Sequence, residues 1–169
     1  MSTPYEVIDN FLEKSDFKKI QDVMMNSRGF PWYYCPWVAA NNVEHDYPTN
    51  NYQFEHFFFN HRSFEKSDGY SLIIPLISKL SINGIVRIKG NLYPSVNGVV
   101  EDQMHSDFPF PHKGALFSIN TNNGYTKLED GTKIESVENR LLIFDTSTPH
   151  CSARCTDEKV RVNIVVNYF

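Results

Sequence analysis

From residue 82 to its end the chain is written in short stretches that alternate apolar and polar residues, and this pattern constrains the fold more than any other. Val160, Val162, Ile164 and Val166 alternate with Arg161, Asn163, Val165 and Asn167, the period of two expected of a strand with two distinct faces. Residues 85–93 repeat it, with Val86, Ile88 and Leu92 on one face and Arg87, Lys89, Asn91 and Tyr93 on the other. Residues 115–120 and 141–144 read as further strands. Turn signals stand between them at Asn83-Gly84, Asn122-Asn123-Gly124 and Asp130-Gly131.

The first part of the chain is different. Residues 5–12 read as a short opening strand. Ser15 or Asp16 then offers an N-cap, and Phe17, Ile20 and Met24 share one helical face through about Asn26, before Gly29 and Pro31 stop the helix. Residues 30–64 are aromatic and irregular, with a polar turn at Asn41-Asn42 and a strand at 54–59. This block reads as a hydrophobic layer or as the wall of a cleft. A second helix fits residues 71–80, with Pro75 in its first turn. Helices followed by many short strands predict a mainly β (α+β) fold, a double-sheet β roll with N-terminal helices packed outside. With no repeats, low-complexity tracts or linkers, the 169 residues predict a single domain, its helical and aromatic part at 1–82 and its β core at 83–169.

Composition excludes some functions. A net charge of −4 argues against nucleic acid as a partner, because neutralising phosphates supplies most non-specific affinity. No apolar run approaches the ~18 residues of a membrane span, and the N-terminus shows no secretory pattern. The three cysteines, Cys35, Cys151 and Cys155, are an odd number and no N-x-S/T sequon occurs. Both point to a reducing, cytoplasmic setting. Cys151 and Cys155 have the spacing of half a zinc site, without a second pair to complete it.

The chemistry-bearing stretch is His105-Ser106-Asp107. In an extended segment residues i and i+2 project to the same side, so one ion can touch both. A histidine from a distant strand would complete a two-histidine, one-carboxylate set, which holds non-haem Fe(II) with positions left open. His150 follows after 45 residues and Arg161 after 11 more. Each has a structural reading as well: His150 a loop histidine, Arg161 a solvent-facing arginine, Asp107 a turn cap before Pro109 and Pro111. Taken singly those readings are the simpler ones; taken together the four form a set that one chemistry requires. A dicarboxylate co-substrate would need a cation at its far end, and a guanidinium fork suits a carboxylate.

The order Tyr93, His105/Asp107, Gly124-Tyr125-Thr126, Leu142-Ile143-Phe144, His150 and Arg161 resembles the 2-oxoglutarate/Fe(II)-dependent dioxygenases, in their prolyl-hydroxylase-like branch. Ile88–Pro94 and Asn120–Thr126, numbered in this chain, also resemble small members from bacteriophage and marine microbial genomes. The resemblance covers residues 85–169, and more loosely the opening strand and helix. It implies a double-stranded β-helix (jelly roll), with Fe(II) bound by His105, Asp107 and His150. It further implies 2-oxoglutarate with its distal carboxylate on Arg161, Tyr93 as a co-substrate contact, and O2 as co-reactant. Asn163 and Asn91 are implied as further co-substrate contacts, with Arg87 and Lys89 as alternative carboxylate partners. The activity it implies is hydroxylation of a peptidyl side chain or small molecule, with release of succinate and CO2.

Two departures matter. The alkylation-repair branch carries R-x-N-x-T-x-R on the last strand; here Arg161 and Asn163 match, but Val165 and Asn167 replace the last two positions, which weakens a base-demethylation reading. Halogenating members lack the carboxylate, so Asp107 favours hydroxylation. Loop 94–104, residues 108–112 and block 30–64 are the expected substrate-facing parts, with His56 and His112 as extra candidates. The other readings are a non-catalytic jelly-roll binding module and a cupin-like metalloenzyme without a keto acid.

Overall fold

Two antiparallel sheets face each other. The computed structural model describes residues 4–38, 51–63 and 65–169. The strands are β1 (Tyr5–Ile8), β2 (Tyr33–Cys35), β3 (Gln53–Asn60), β4 (Glu65–Lys66), β5 (Ile85–Pro94), β6 (Lys113–Ser118), β7 (Asn122–Leu128), β8 (Lys133–Ser136), β9 (Leu141–Asp145), β10 (His150–Ala153) and β11 (Val160–Tyr168). The helices are α1 (Lys14–Gln21) and α2 (Ile74–Ser78). The major sheet runs β1-β9-β6-β11-β5-β3-β2, with β4 paired to β3; the minor sheet runs β10-β7-β8. Isolated bridges Glu101↔Ala153 and His105↔His150 extend the minor sheet past β10. Four central strands of the major sheet thus oppose a minor sheet whose fourth member is the segment carrying His105. This is the double-stranded β-helix.

Period-two alternation decides the packing. On the outer face of the major sheet, Phe58, Ile88, Phe117, Val162 and Ile164 meet Phe17, Ile20 and Met24 of the N-terminal helix in one buried cluster. Full burial of each such side chain contributes roughly 1.5–3 kcal/mol. Between the sheets a smaller apolar cluster of Leu116, Leu128, Ile134, Leu142 and Phe144 closes one side. Much of the rest of the interior is polar. Arg161, Asn163 and Asn167, on the second face of β11, are each 1% exposed or less, so the polar half of that alternation points into the barrel.

Several expectations change. The N-terminal helix begins at Lys14, with Glu13 at the cap position and no side-chain capping bond, so neither Ser15 nor Asp16 caps it. Its last turn widens into a π turn, Asp22–Asn26. Over 71–80 a 3-10 turn, Asp68–Ile73, leads into α2, and Pro75 lies in the first turn, where its missing N–H costs nothing. Asn122-Asn123-Gly124 is no turn: it opens β7, and the pairing with β8 shifts register between Asn122 and Tyr125. Asn122 replaces the lost ladder bond by accepting from the Gly124 N–H at 3.0 Å. β1 and β3, which lie before residue 83, belong to the major sheet together with the strands that follow it. The aromatic block serves both suggested ends: Phe30 and Trp32 pack on the outer core, while Trp37 and Phe57 line the interior cavity. The Asn41-Asn42 turn lies outside the described residues. No helix of the described residues is long and apolar enough to cross a membrane.

Candidate metal centre

His105 and His150 exchange backbone hydrogen bonds, N–H to O at 2.9 Å in each direction. This pairing puts two side chains distant in sequence on one side of the sheet, with ring centroids 4.7 Å apart. Asp107, two residues beyond His105, joins them: one ligand atom from each of the three falls within 4.8 Å of the others. The set is the one metal-ligand grouping among the described residues. Cys151 and Cys155 are buried free thiols outside it.

The ring tautomers follow from their partners. His105 Nδ1 is 3.2 Å from the Gln103 carbonyl and His150 Nδ1 is 3.0 Å from that of Thr148. A carbonyl only accepts, so each Nδ1 carries the proton and each Nε2 lone pair is left for a metal. Burial, then His150, pulls the His105 imidazole down to about 4, so it is neutral at physiological pH. For Asp107, burial works to raise the pKa, but the Arg87 guanidinium, His150 and the Asn167 amide outweigh it and hold the carboxyl well below its usual range. Two imidazoles and a carboxylate fit a ferrous ion with positions left open.

Both carboxylate oxygens are held. Arg87 Nη2 donates to Oδ1 at 2.8 Å and Asn167 Nδ2 to Oδ2 at 2.8 Å. Arg87 and Asn167 are cross-strand partners on β5 and β11, and Arg87 Nε donates to Asn167 Oδ1 at 3.1 Å. Behind them, His112 Nδ1 lies 2.7 Å from the Phe110 carbonyl. Its Nε2 therefore accepts from Thr146 Oγ1 at 2.8 Å, and Asn167 reaches that hydroxyl at 3.2 Å. His112 thus belongs to the support of Asp107. His56, bonded to the Pro31 carbonyl and Ser67 hydroxyl, belongs to the layer under the major sheet.

A cavity of about 340 Å³ opens beside the three ligands. Tyr93, Asn91, Lys89 and Arg87 line it in sequence from β5, and Thr126 from β7. Arg161 stands behind Thr126 at one end, 1% exposed. Its Nε donates to Ser136 Oγ at 2.7 Å and its Nη2 to Thr126 Oγ1 at 3.0 Å. Its Nη1 is buried without a partner among the described residues. Its guanidinium lies 5.7 Å from the Tyr93 ring centroid, its cross-strand neighbour. Burial raises the Tyr93 pKa, against Arg161 and the Ser152 hydroxyl, and keeps the phenol protonated. A buried guanidinium with a donor left over calls for an anion, and the distal carboxylate of 2-oxoglutarate fits that demand.

Other expected contacts fall differently. Asn91 Nδ2 donates to Asn163 Oδ1 at 2.9 Å, leaving Asn91 Oδ1 and Asn163 Nδ2 without partners among the described residues. Asn91 lines the cavity and Asn163 stands behind it. Arg87 is hydrogen-bonded to Asp107, and Lys89 is ion-paired with Glu55 at 3.4 Å; Arg161 differs in having a fully buried donor, Nη1, with no partner among the described residues. Ser136, Thr146 and Asn167, which the sequence does not single out, support the candidate site through Arg161, His112 and Asp107. Asn167 lies on the Arg161 face of β11 at an even spacing, a signal that was present; nothing local marks Ser136.

No protein-family model matches the chain, and no curated protein matches it. Solved structures do. A prolyl hydroxylase from Trichoplax adhaerens, in complex with a hypoxia inducible factor oxygen degradation domain peptide, superposes with a TM-score of 0.62 at 17% identity, over 99% of this chain and 84% of that one. A Pseudomonas putida prolyl-4-hydroxylase gives 0.58 at 13% identity, over 99% and 93%. A 2OG-Fe(II) oxygenase family oxidoreductase from Burkholderia pseudomallei gives 0.68 at 9% identity, over 97% and 84%. The fold of this chain is that of the prolyl-hydroxylase-like 2-oxoglutarate/Fe(II) oxygenases.

Proposed function

We propose that the chain is an oxygenase that uses Fe(II), 2-oxoglutarate and O2 to hydroxylate a peptidyl side chain or small molecule. His105, Asp107 and His150 would hold the ion. Bound there, Fe(II) supplies the O2 activation that couples oxidative decarboxylation of 2-oxoglutarate, to succinate and CO2, to oxidation of a C–H bond. Arg87 and Asn167 orient the Asp107 carboxylate. Arg161 would bind the distal carboxylate of the co-substrate, with Thr126 and Ser136 fixing its guanidinium and Tyr93 beside it. The polar rungs Asn91 and Asn163 lie between that end and the ligands. Leu116, Phe144 and Val165, which line the same cavity, keep its wall apolar near the reacting atoms.

The carrying observation is a juxtaposition: a two-histidine, one-carboxylate set lines one small cavity, and a buried guanidinium with an unused donor stands directly behind Thr126, which lines the same cavity. The neighbours' names, which are of hydroxylases and oxygenases, support the same reading. The test is 2-oxoglutarate binding with and without Fe(II) under anaerobic conditions, followed by succinate release in air. Binding that depends on the metal, and succinate release abolished in His105→Ala and Asp107→Ala, is the expected result. Full release in either variant overturns the proposal.

A further inference from the structure

The cavity has a polar wall that neither the metal ligands nor Arg161 accounts for. Gln53, Glu55 and Phe57 project into it from β3, and Asn91 and Lys89 from the adjoining β5. Glu55 pairs with Asn91 and Phe57 with Lys89 in the ladder. Lys89 Nζ lies 3.4 Å from Glu55 Oε2, the two side chains 15% and 21% exposed, and 5.9 Å from the Phe57 ring centroid. Among the described residues Glu55 is the sole hydrogen-bond partner of this ammonium, which has three donors, and Glu55 Oε1 accepts nothing. Next to the pair, Gln53 Oε1 and Asn91 Oδ1 are buried with no partner among the described residues, on residues 4% and 2% exposed.

Leaving a buried carbonyl oxygen unpaired costs about 1–3 kcal/mol, and a half-buried ion pair with long geometry stabilises the fold little. The wall therefore offers a cation with donors to spare beside two buried acceptors without partners among the described residues. A ligand group that matches both is itself bipolar, with an anion for Lys89 and N–H donors for Glu55, Gln53 and Asn91. A zwitterion meets these demands with no net charge transferred into the cavity, because the wall pair is itself neutral. The volume, about 340 Å³, is near the small end of ligand pockets, roughly 300–1,000 Å³.

We infer that the β3–β5 wall is the prime-substrate subsite and that it takes a free α-amino acid, with its carboxylate on Lys89 and its ammonium on Glu55 and Gln53. The inference rests on the oxygenase reading, which assigns the Arg161 end of the cavity to 2-oxoglutarate. A peptidyl residue lacks both charges and leaves the wall unsatisfied.

The experiment uses Zn(II)-loaded protein, which holds the site without turnover, and ligand-observed NMR with the standard free L-amino acids and their N-acetyl amides. The double variant Lys89→Met/Glu55→Gln removes both charges together, so that neither is left buried alone, and circular dichroism checks its fold. At least one free amino acid is expected to bind while its blocked form does not, and the double variant is expected to lose about tenfold or more in affinity with 2-oxoglutarate affinity unchanged. Binding of blocked and free forms alike, no binding of any free amino acid, an unaffected double variant, or equal loss of 2-oxoglutarate binding overturns the inference. 2-Oxoglutarate binding to the wild type in the same samples tests the oxygenase reading separately: its absence defeats that reading, while amino-acid binding lost in the double variant would still support the subsite.

Discussion

Arg87 donates to Oδ1 of Asp107, the oxygen that lies 4.0 Å from His105 Nε2. The guanidinium therefore sits on the carboxylate oxygen turned toward the histidines and neutralises it in the metal-free protein. The two side chains are 17% and 11% exposed, and the Phe108 ring covers the guanidinium at 4.9 Å.

Removing that cation exposes how much the metal can replace it. Breaking a buried pair costs about 3–5 kcal/mol when the remaining charge has no other partner; Asn167 still serves Asp107, so Arg87→Met is expected to lose about 2 kcal/mol or more in the metal-free form. Saturating Zn(II) is expected to stabilise Arg87→Met by more than it stabilises the wild type, because the ion supplies the missing positive charge. Urea unfolding with and without Zn(II) measures both. Equal metal-induced shifts in the two proteins would show that Arg87 does not act on Asp107.

The His105 ring makes a pH prediction. Its folded pKa is near 4, below the ordinary value of about 6.5, so between those values the unfolded chain binds more protons than the folded one. Its contribution to stability is present above about 6.5, falls as pH drops through that window, and is gone below about 4, with a slope of at most about 1.4 kcal/mol per pH unit. NMR titration of the metal-free protein should place the His105 midpoint near 4, and His105→Gln should flatten the stability profile between pH 4 and 6.5. A midpoint near 6.5 would remove the effect.

Arg161→Gln separates the two ends of the cavity. Truncating one partner of a buried charge pair costs roughly 2–5 kcal/mol, so 2-oxoglutarate affinity should fall at least about thirtyfold. Metal affinity should stay as in the wild type, since Arg161 touches none of the three ligands. A monocarboxylic 2-keto acid should bind the variant and the wild type equally. Isothermal titration distinguishes these; equal loss for both keto acids would mean that Arg161 does not bind the distal carboxylate.

Gly124 tests the same end through the backbone. A Cβ there would lie 2.7 Å from the Ala153 carbonyl and 2.8 Å from Arg161 Cδ. Gly124→Ala is expected to cost about 1–3 kcal/mol by overpacking and to weaken 2-oxoglutarate binding by displacing the guanidinium. Gly131→Ala is the control. Its φ of +87° has open space around it, so the cost there, about 1 kcal/mol from the left-handed backbone, should leave ligand affinity untouched.

Much of the candidate site is legible in the sequence because its residue types are local signals. His105 and Asp107 are two apart in an extended segment, and Arg161, Asn163 and Asn167 repeat at even spacings on one strand. Other features are not. The Asn122–Gly124 stretch has turn chemistry, yet it forms a bulged strand because Gly124 must pass close to Ala153 and Arg161. Glu55 and Lys89 are 34 residues apart, Arg161 and Ser136 are 25 apart, and Arg87 and Asp107 are 20 apart. No periodicity relates such pairs.

The sequence by itself determined the strand faces, the helix-then-strand order and the ligand types, because a period of two and side-chain chemistry are properties of a residue and its near neighbours. Only the tertiary structure decided that His105 would bond His150, that Arg87 would be committed to Asp107 while Arg161 kept an unused donor, and that β3 would bring Gln53 and Glu55 against Lys89. Those facts depend on which strands become neighbours and in what register. Both are settled by burying the apolar faces of distant segments together, after which the polar faces meet partners that no local pattern could name.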